Sequence, residues 1–176
     1  MISSNPIKVK EQNELSKRRE EIDLERKKES RNSYFQKFRA SNVLSIPSLN
    51  SEFHLSYNSI AQKNFAIEEF DNLIAYIKSN DPKSILEGLV GLRKLLSMED
   101  CPLIQKTMDS GIPKKIIKFM QNKENLYLRS ESTWIIANLA CGVGGIKFID
   151  LGITQILFEM IEEKNEVLLE QVKIFT

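Results

Sequence analysis

The sequence predicts an all-α fold, in which helical repeats stack into a right-handed superhelical solenoid behind a mostly disordered basic arm. Glycine and proline are sparse, with 7 and 5 among 176 residues, which favours helices over a loop-rich β fold. From about residue 67 onward, apolar side chains recur at helical spacing, and no long stretch alternates as a half-buried strand would. A block of sequence also recurs after 41 residues.

The repeat region begins with a short helix and a longer one. The stretch FDNLIAYIKS puts its large apolar side chains on one helical face, namely those of Phe70, Leu73, Ile74 and Ile77. The next stretch, ILEGLVGLRKLLS, follows Asp81 and Pro82, which suit an N-cap and the first helical position. IPKKIIKFMQ and LYLRSESTWIIANLACG form a second pair, and ITQILFEMIEE and NEVLLEQVKIFT form a third.

The recurring block indicates the class of repeat. Asp-Ser-Gly-Ile at 109–112 returns as Asp-Leu-Gly-Ile at 150–153, and the apolar positions after it stay in register: Ile116 with Leu157, Phe119 with Met160, and Met120 with Ile161. A period near 40 built from helices is typical of armadillo and HEAT repeats, whose units cover one another's apolar faces. Gly111 and Gly152 suit the tight turn between the first and second helices of a unit.

Charge and composition divide the chain into three parts. Residues 8–39 hold 11 Lys and Arg against 7 Asp and Glu, while the rest of the chain is mildly acidic. Few apolar side chains occur in this basic arm, so it lacks the means to fold alone, although its helix formers allow it to fold on a partner. We predict the arm at 1–40, a Ser- and Asn-rich linker at 41–66, and repeats at 67–176.

Three motifs together resemble the importin alpha family. LRSESTWIIANLACG resembles the third helix of an armadillo repeat of that family, with its Trp-x-x-x-Asn motif at Trp134 and Asn138. GLRKLLS (91–97) resembles the third helix of the family's first repeat. KRREEIDLERKKE in the arm is similar to the family's importin-beta-binding segment. The resemblance covers residues 14–39 and 67–176, and it implies a nuclear import adaptor that shuttles between cytoplasm and nucleus.

The spacing of Trp134 and Asn138 places both side chains on one helical face. An indole wall attracts the stems and charges of lysine and arginine, and a carboxamide can bind the backbone of an extended peptide. Glu131, one turn earlier, adds negative charge. The resemblance implies a groove for basic nuclear localisation signals, formed by Trp134, Asn138, Glu131, Gly142, Gln171 and Leu96. The alternative is that this Trp is a core residue and this Asn a surface or capping residue.

The chain departs from the family pattern at several positions. Val90 and Lys94 stand at the Trp and Asn positions of the first unit, which the family also leaves without this pair, whereas Ile174 stands where a Trp is expected in the third. Cys141 replaces a usual serine, and the loop after it lacks the family's threonine. We therefore expect one complete slot and weak signal binding. The last helix reaches Thr176 without a cap, so the sequence predicts a fragment of a longer array.

The arm residues have roles only through the resemblance. It implies that basic side chains contact importin-beta, namely Arg18, Arg19, Arg26, Lys27, Lys28 and Arg31. It also implies that Lys37 and Arg39 imitate cargo and inhibit their own groove, although Phe38 between them weakens the imitation. A solvated charged helix or a coiled coil is the alternative for this segment.

Other function classes are disfavoured by the residues. His54 has no Cys or carboxylate partner close in sequence, metal ligands do not cluster, and CGVGG follows a helix rather than a strand, so we expect no enzyme, metal or cofactor. Interspersed acids disfavour nucleic acid as a partner, and no apolar run would insert into a membrane. The competing functions are an armadillo interaction scaffold and a truncated decoy that binds importin-beta without carrying cargo.

Overall fold

A computed structural model describes residues 12–19, 22, 26, 29, 51–98, 101–143 and 146–172. Residues 1–41 and 42–176 are two separate compact units. In the first unit, the described residues are helical and exposed to solvent. In the second unit, every regular element among the described residues is a helix, as the composition and the apolar spacing predicted.

The second unit contains nine α-helices and one 3₁₀ turn among its described residues. In chain order these are α1 (Ser51–Gln62), the 3₁₀ turn (Ile67–Glu69), α2 (Phe70–Lys78), α3 (Pro82–Leu96), α4 (Leu103–Asp109), α5 (Pro113–Met120), α6 (Leu126–Val143), α7 (Ile146–Ile149), α8 (Ile153–Glu162) and α9 (Glu166–Val172). Within these residues, no helix combines the length and apolar character that crossing a membrane requires.

The helices form the predicted armadillo-type solenoid. Its first unit pairs α2 with α3, its second consists of α4, α5 and α6, and its third consists of α7, α8 and α9. Gly111 and Gly152 both adopt positive φ angles, 74° and 81°, at the turn between the first and second helices of their units. These left-handed conformations suit glycine because a Cβ atom would strain them, so the predicted turns are confirmed.

Local sequence signals explain where the helices of the first unit begin. Asp81 adopts an extended conformation and its carboxylate accepts a hydrogen bond from the Ser84 amide at 2.8 Å, with Pro82 in the first turn. This is the predicted N-cap of α3. The hydrogen bonds from Ser84 hold the pKa of the Asp81 carboxyl below its ordinary value. The apolar face predicted for α2 is also confirmed, since all four of its side chains are buried.

The longest helix, α6, is the centre of the solenoid. It packs against α3 of the first unit, α4 and α5 of its own unit, and α9 of the third. Residues 127–129 and 131–139 are all buried, so the helix has no wide solvent face. A helix buried on all sides is normally apolar throughout, and the charged and amide side chains of α6 therefore need partners inside the protein.

Within the segment predicted as a linker, the structure differs from the expectation. Residues 51–62 form α1, which packs against α3, and Ile60 is 2% exposed in the hydrophobic core. Ser and Asn are poor helix formers in isolation, so the local composition indicated a linker. Burial of Ile60 supplies the tertiary contact that makes the segment helical.

Candidate functional site

The predicted site residues of α6 lie together where this helix meets α3. Trp134 and Asn138 are 3% and 4% exposed, and Glu131 is equally buried. The guanidinium carbon of Arg93, on α3, lies 4.3 Å from the centroid of the Trp134 indole. Asn138 Nδ2 donates a hydrogen bond to Ser97 Oγ at 3.1 Å. We call Arg93, Ser97, Glu131, Trp134 and Asn138 the α3–α6 seam.

The end of α3 orients the amide of Asn138. Ser97 is the C-cap of α3, and its hydroxyl donates to the Arg93 carbonyl at 2.8 Å. The same oxygen then accepts the hydrogen bond from Asn138. Because the amide group is held through its nitrogen, its oxygen is directed to a fixed position within the seam.

Glu131 is bound from two directions, by one charged group and one neutral donor. Its Oε2 accepts a hydrogen bond from Arg93 Nε, and its Oε1 accepts one from the Tyr57 hydroxyl at 2.8 Å. The side chains of Arg93 and Glu131 are both almost completely buried. A buried carboxylate needs such partners, because its desolvation is costly and only an opposite charge and hydrogen bonds offset it.

Arg93 and Asn138 each carry a buried polar atom with no hydrogen-bond partner within the described part of the chain. Asn138 Oδ1 is a buried acceptor and Arg93 Nη2 is a buried donor, and neither makes a hydrogen bond there. A buried polar group left in this state costs about 1–3 kcal/mol. A peptide group carries one donor and one acceptor, so a peptide backbone has the chemistry that would satisfy both.

The aromatic ring of Tyr127 borders the seam at the N-terminal end of α6. It stacks on Tyr57 with ring centroids 4.2 Å apart and an angle of 25° between the planes. Burial raises the pKa of the Tyr127 hydroxyl above its ordinary value. The ring therefore presents a neutral, apolar surface to α1 at physiological pH.

The remaining predicted groove residues are less tightly grouped. Leu96 is buried in the hydrophobic core, where it packs with other apolar side chains. Gly142 lies in the last turn of α6. Gln171 lies in α9, but its side chain is outside the described residues, as is the whole of Ile174. Their contact with a bound peptide stays a prediction.

Part of the predicted arm site lies outside the described residues. Arg18, Arg19 and Arg26 are described, and each is helical and exposed. The other predicted arm residues are not described, and these are Lys27, Lys28, Arg31, Lys37 and Arg39. The roles of the whole arm, in binding importin-beta and in autoinhibition, stay predictions.

No metal site is evident where the structure describes the chain. The described residues contain no convergent group of three or more His, Cys, Asp and Glu side chains. Cys101 and Cys141 are both free thiols and both partly buried.

Sequence reasoning missed several residues of the seam. Arg93, Ser97 and Tyr57 reach Glu131, Trp134 and Asn138 only through tertiary contacts between residues 37 or more positions apart. One signal was available for Arg93, because a charged residue on a helix whose neighbouring residues are apolar requires a buried partner. Tyr57 had no comparable signal, since it lies in a polar segment without a clear period.

Comparisons with known proteins point to one group of relatives. The chain is 28% identical to Importin subunit alpha-3 of Arabidopsis thaliana over 173 residues, which are 97% of this chain and 32% of that protein. It is 34% identical to Importin subunit alpha-B of Dictyostelium discoideum over 79 residues, which are 45% of this chain and 15% of that protein. Importin subunit alpha-1 of Schizosaccharomyces pombe is 28% identical over 130 residues, covering 73% of this chain and 23% of that protein. No family model matches the chain. The chain thus spans a third or less of the length of these relatives.

Proposed function

We propose that this chain, which belongs to the importin alpha family, is a nuclear import adaptor that binds basic localisation signals at the α3–α6 seam and importin-beta through its arm. In this function it shuttles between cytoplasm and nucleus and performs no catalysis. The relatives, however, extend far beyond the matched part. The function of the chain therefore has to be tested on its own residues.

One observation supports cargo binding most directly. The seam gathers an indole, a carboxylate and a carboxamide on one side of α6, and no described residue donates a hydrogen bond to the buried oxygen of that carboxamide. A peptide amide would supply this donor and so gain a hydrogen bond in a site sheltered from water. A basic side chain of that peptide would reach Glu131 by replacing Tyr57 or Arg93 as its partner.

Peptide affinity tests the role of Asn138. A fluorescently labelled peptide with a run of lysines and arginines is titrated with the chain, and its anisotropy is followed. We expect Asn138→Ala to weaken binding about tenfold, since the hydrogen bond to the peptide is lost. Asn72→Ala is the matched control, because Asn72 is an exposed asparagine in α2. Equal affinities of the two variants would contradict the proposal.

Charge reversal tests the arm. Arg18 and Arg19 are exposed, and with Lys27 and Lys28 they carry the positive charge that an acidic groove in importin-beta would bind. We expect their joint replacement by Glu to abolish retention of the chain on immobilised importin-beta. The control reverses the same number of exposed lysines in the repeats, at Lys78, Lys83, Lys114 and Lys118. Equal loss in both variants would argue against a specific arm site.

The burial of the seam favours a second function. Trp134 and Asn138 are nearly inaccessible, whereas Arg18, Arg19 and Arg26 are exposed. A protein with a closed seam and an accessible arm would sequester importin-beta without carrying cargo. Retention on importin-beta combined with no peptide binding by any variant would favour this decoy. If the chain binds neither the peptide nor importin-beta, the remaining function is that of an armadillo interaction scaffold.

A further inference from the structure

Lys94 of α3, next to Arg93 of the seam, binds the carboxyl end of α1. Lys94 Nζ donates hydrogen bonds to the Ala61 carbonyl at 2.8 Å and to the Lys63 carbonyl. A cation at this end of a helix also interacts favourably with the helix dipole. Under the family resemblance, Lys94 of α3 stands at the repeat position of Asn138 of α6. The end of α1 is therefore bound at the first unit's counterpart of the candidate site.

The middle of α1 reaches the seam itself. Tyr57 stacks on Tyr127 and donates its hydroxyl to Glu131 Oε1 at 2.8 Å. Since Arg93 Nε binds the other oxygen of Glu131, both oxygens of this carboxylate have partners within the chain. Any external basic group that binds Glu131 has to compete with Tyr57 or with Arg93.

A continuous series of contacts links α1 to the indole. Tyr57 binds Glu131, Glu131 binds Arg93, and the guanidinium of Arg93 lies over Trp134. Loss of the first contact would leave Arg93 as the remaining partner of Glu131. Release of α1 would also admit water to Glu131, and a solvated carboxylate holds Arg93 less firmly than a buried one, so the environment of Trp134 depends on whether α1 is bound.

The described part of α1 buries few apolar side chains. Among residues 55–62, whose side chains are described, only Ile60 is buried, while Leu55 is 68% exposed. The ion pair of Lys63 with Glu87, at 2.5 Å, involves a well-exposed lysine and adds little. A segment with few buried apolar contacts opens at a lower free energy than the core of its domain. Release of α1 therefore does not require the solenoid to unfold.

We infer that α1 is a displaceable cover of the α3–α6 seam, and that its release frees Glu131 Oε1 and loosens Arg93 from Trp134. The cover is an amphipathic helix that binds through a tyrosine, a buried isoleucine and its own carboxyl end. This inference concerns the seam whether or not cargo binds there. A regulatory role for α1 rests on the proposed function, because it requires that a basic peptide and α1 compete for the same surface.

The only tryptophan of the chain reports on the cover, because it lies in the seam. Ile60→Ala removes the buried anchor of α1, and Tyr57→Phe removes its hydrogen bond to Glu131 while keeping the aromatic ring. Leu55→Ala and Tyr76→Phe are matched controls, since both side chains are exposed. The measurements on the full chain are amide hydrogen exchange of residues 55–62 and acrylamide quenching of Trp134 fluorescence.

We expect Ile60→Ala to speed exchange in α1 about 30-fold or more, because a buried side chain and its packing are lost. Tyr57→Phe should speed it about tenfold, as expected for a hydrogen bond to a charged group. In both variants the quenching constant of Trp134 should rise about twofold while exchange in α6 stays slow, since only the cover is released. Both controls should match the parent chain.

Unchanged quenching in a variant whose α1 exchanges rapidly would overturn the inference, because α1 would then be a cap that does not shield the seam. Unchanged exchange of α1 in both variants would overturn it as well, because the named contacts would not hold the helix. Peptide titration of the same variants separates the two proposals. Increased quenching without peptide binding would support the cover and contradict cargo binding at the seam.

Discussion

Two buried arginines, Arg93 and Arg129, each join one helical unit to the next, but their partners differ. Arg93 binds Glu131, whose side chain is almost fully buried, whereas Arg129 binds Glu163, whose side chain is 28% exposed. Arg129 uses its whole fork: Nε donates to the Met120 carbonyl at 2.8 Å, and both terminal nitrogens donate to Glu163, Nη2 at 3.0 Å. Arg93 has one terminal nitrogen without a partner among the described residues, and its face covers Trp134.

This difference distinguishes a contact that only stabilises the fold from one that can also bind a ligand. The Arg129 pair satisfies its hydrogen bonds and joins the second unit to the third, which is the geometry of a structural contact. The Arg93 pair buries a charge more completely and leaves a donor unpaired, so its energy depends on what else enters the seam. The two pairs therefore should respond differently to loss of charge and to ligand.

The largest effect is expected from removal of one arginine. Arg93→Leu leaves Glu131 buried with only the Tyr57 hydroxyl, so the free energy of unfolding should fall by about 3–5 kcal/mol. Arg129→Leu leaves Glu163 able to contact water, so the fall should be about 1–3 kcal/mol. Urea unfolding of both variants, followed by circular dichroism, measures this order. Equal losses would remove the distinction between the two pairs.

The double variant Arg93→Leu/Glu131→Leu is the control for this explanation. If the loss in Arg93→Leu comes from an uncompensated buried charge, removal of Glu131 as well should restore most of the stability. A double variant as unstable as the single one would instead assign the loss to altered packing against Trp134.

A smaller change in the free energy of unfolding is expected when the pH is lowered and Glu163, the partner of Arg129, is protonated. Hydrogen bonds from Arg129 hold the pKa of Glu163 below its ordinary value, although partial desolvation opposes them and Lys123, at 3.3 Å, assists them. Because the folded pKa is the lower one, this stabilisation is present above the ordinary glutamate pKa of about 4.3 and is lost as pH falls through the folded value. In urea unfolding at stepwise lower pH, Glu163→Gln should lack this component of the decline. The same slope in the variant and the parent chain would exclude Glu163 as its source.

The smallest effect is expected at an exposed ion pair. Lys106 Nζ lies 2.9 Å from Asp71 Oδ1 and joins α4 to α2, but both side chains are more than half exposed. Water and salt screen such a pair, so Asp71→Asn should change the free energy of unfolding by roughly 0–1 kcal/mol. This variant gives the baseline for the two buried pairs. A loss as large as that of Arg129→Leu would mean that burial does not govern these contacts.

The repeat register shows where sequence reasoning succeeds and where it stops. The sequence register of 41 residues pairs Met120 with Ile161, yet Met120 is buried and Ile161 is 42% exposed, whereas Met160 is fully buried. Local apolar spacing predicts a helix in each unit. The buried positions Ile116 and Met120 of α5 correspond to Ile156 and Met160 of α8, because α5 begins two residues after Gly111 and α8 begins one residue after Gly152. The motif at the turn does not determine where the next helix begins.

The sequence by itself determined the features that depend on residues close along the chain. These include the N-cap at Asp81, the turns at Gly111 and Gly152, and the shared helical face of Glu131, Trp134 and Asn138, because capping, left-handed glycine and a turn of 3.6 residues are local. Only the tertiary structure decided that Arg93 stacks on the indole, that α1 exists and that Tyr57 binds Glu131. Those contacts join residues far apart along the chain, 74 positions for Tyr57 and Glu131, and their strength comes from burial and desolvation, which no local pattern encodes.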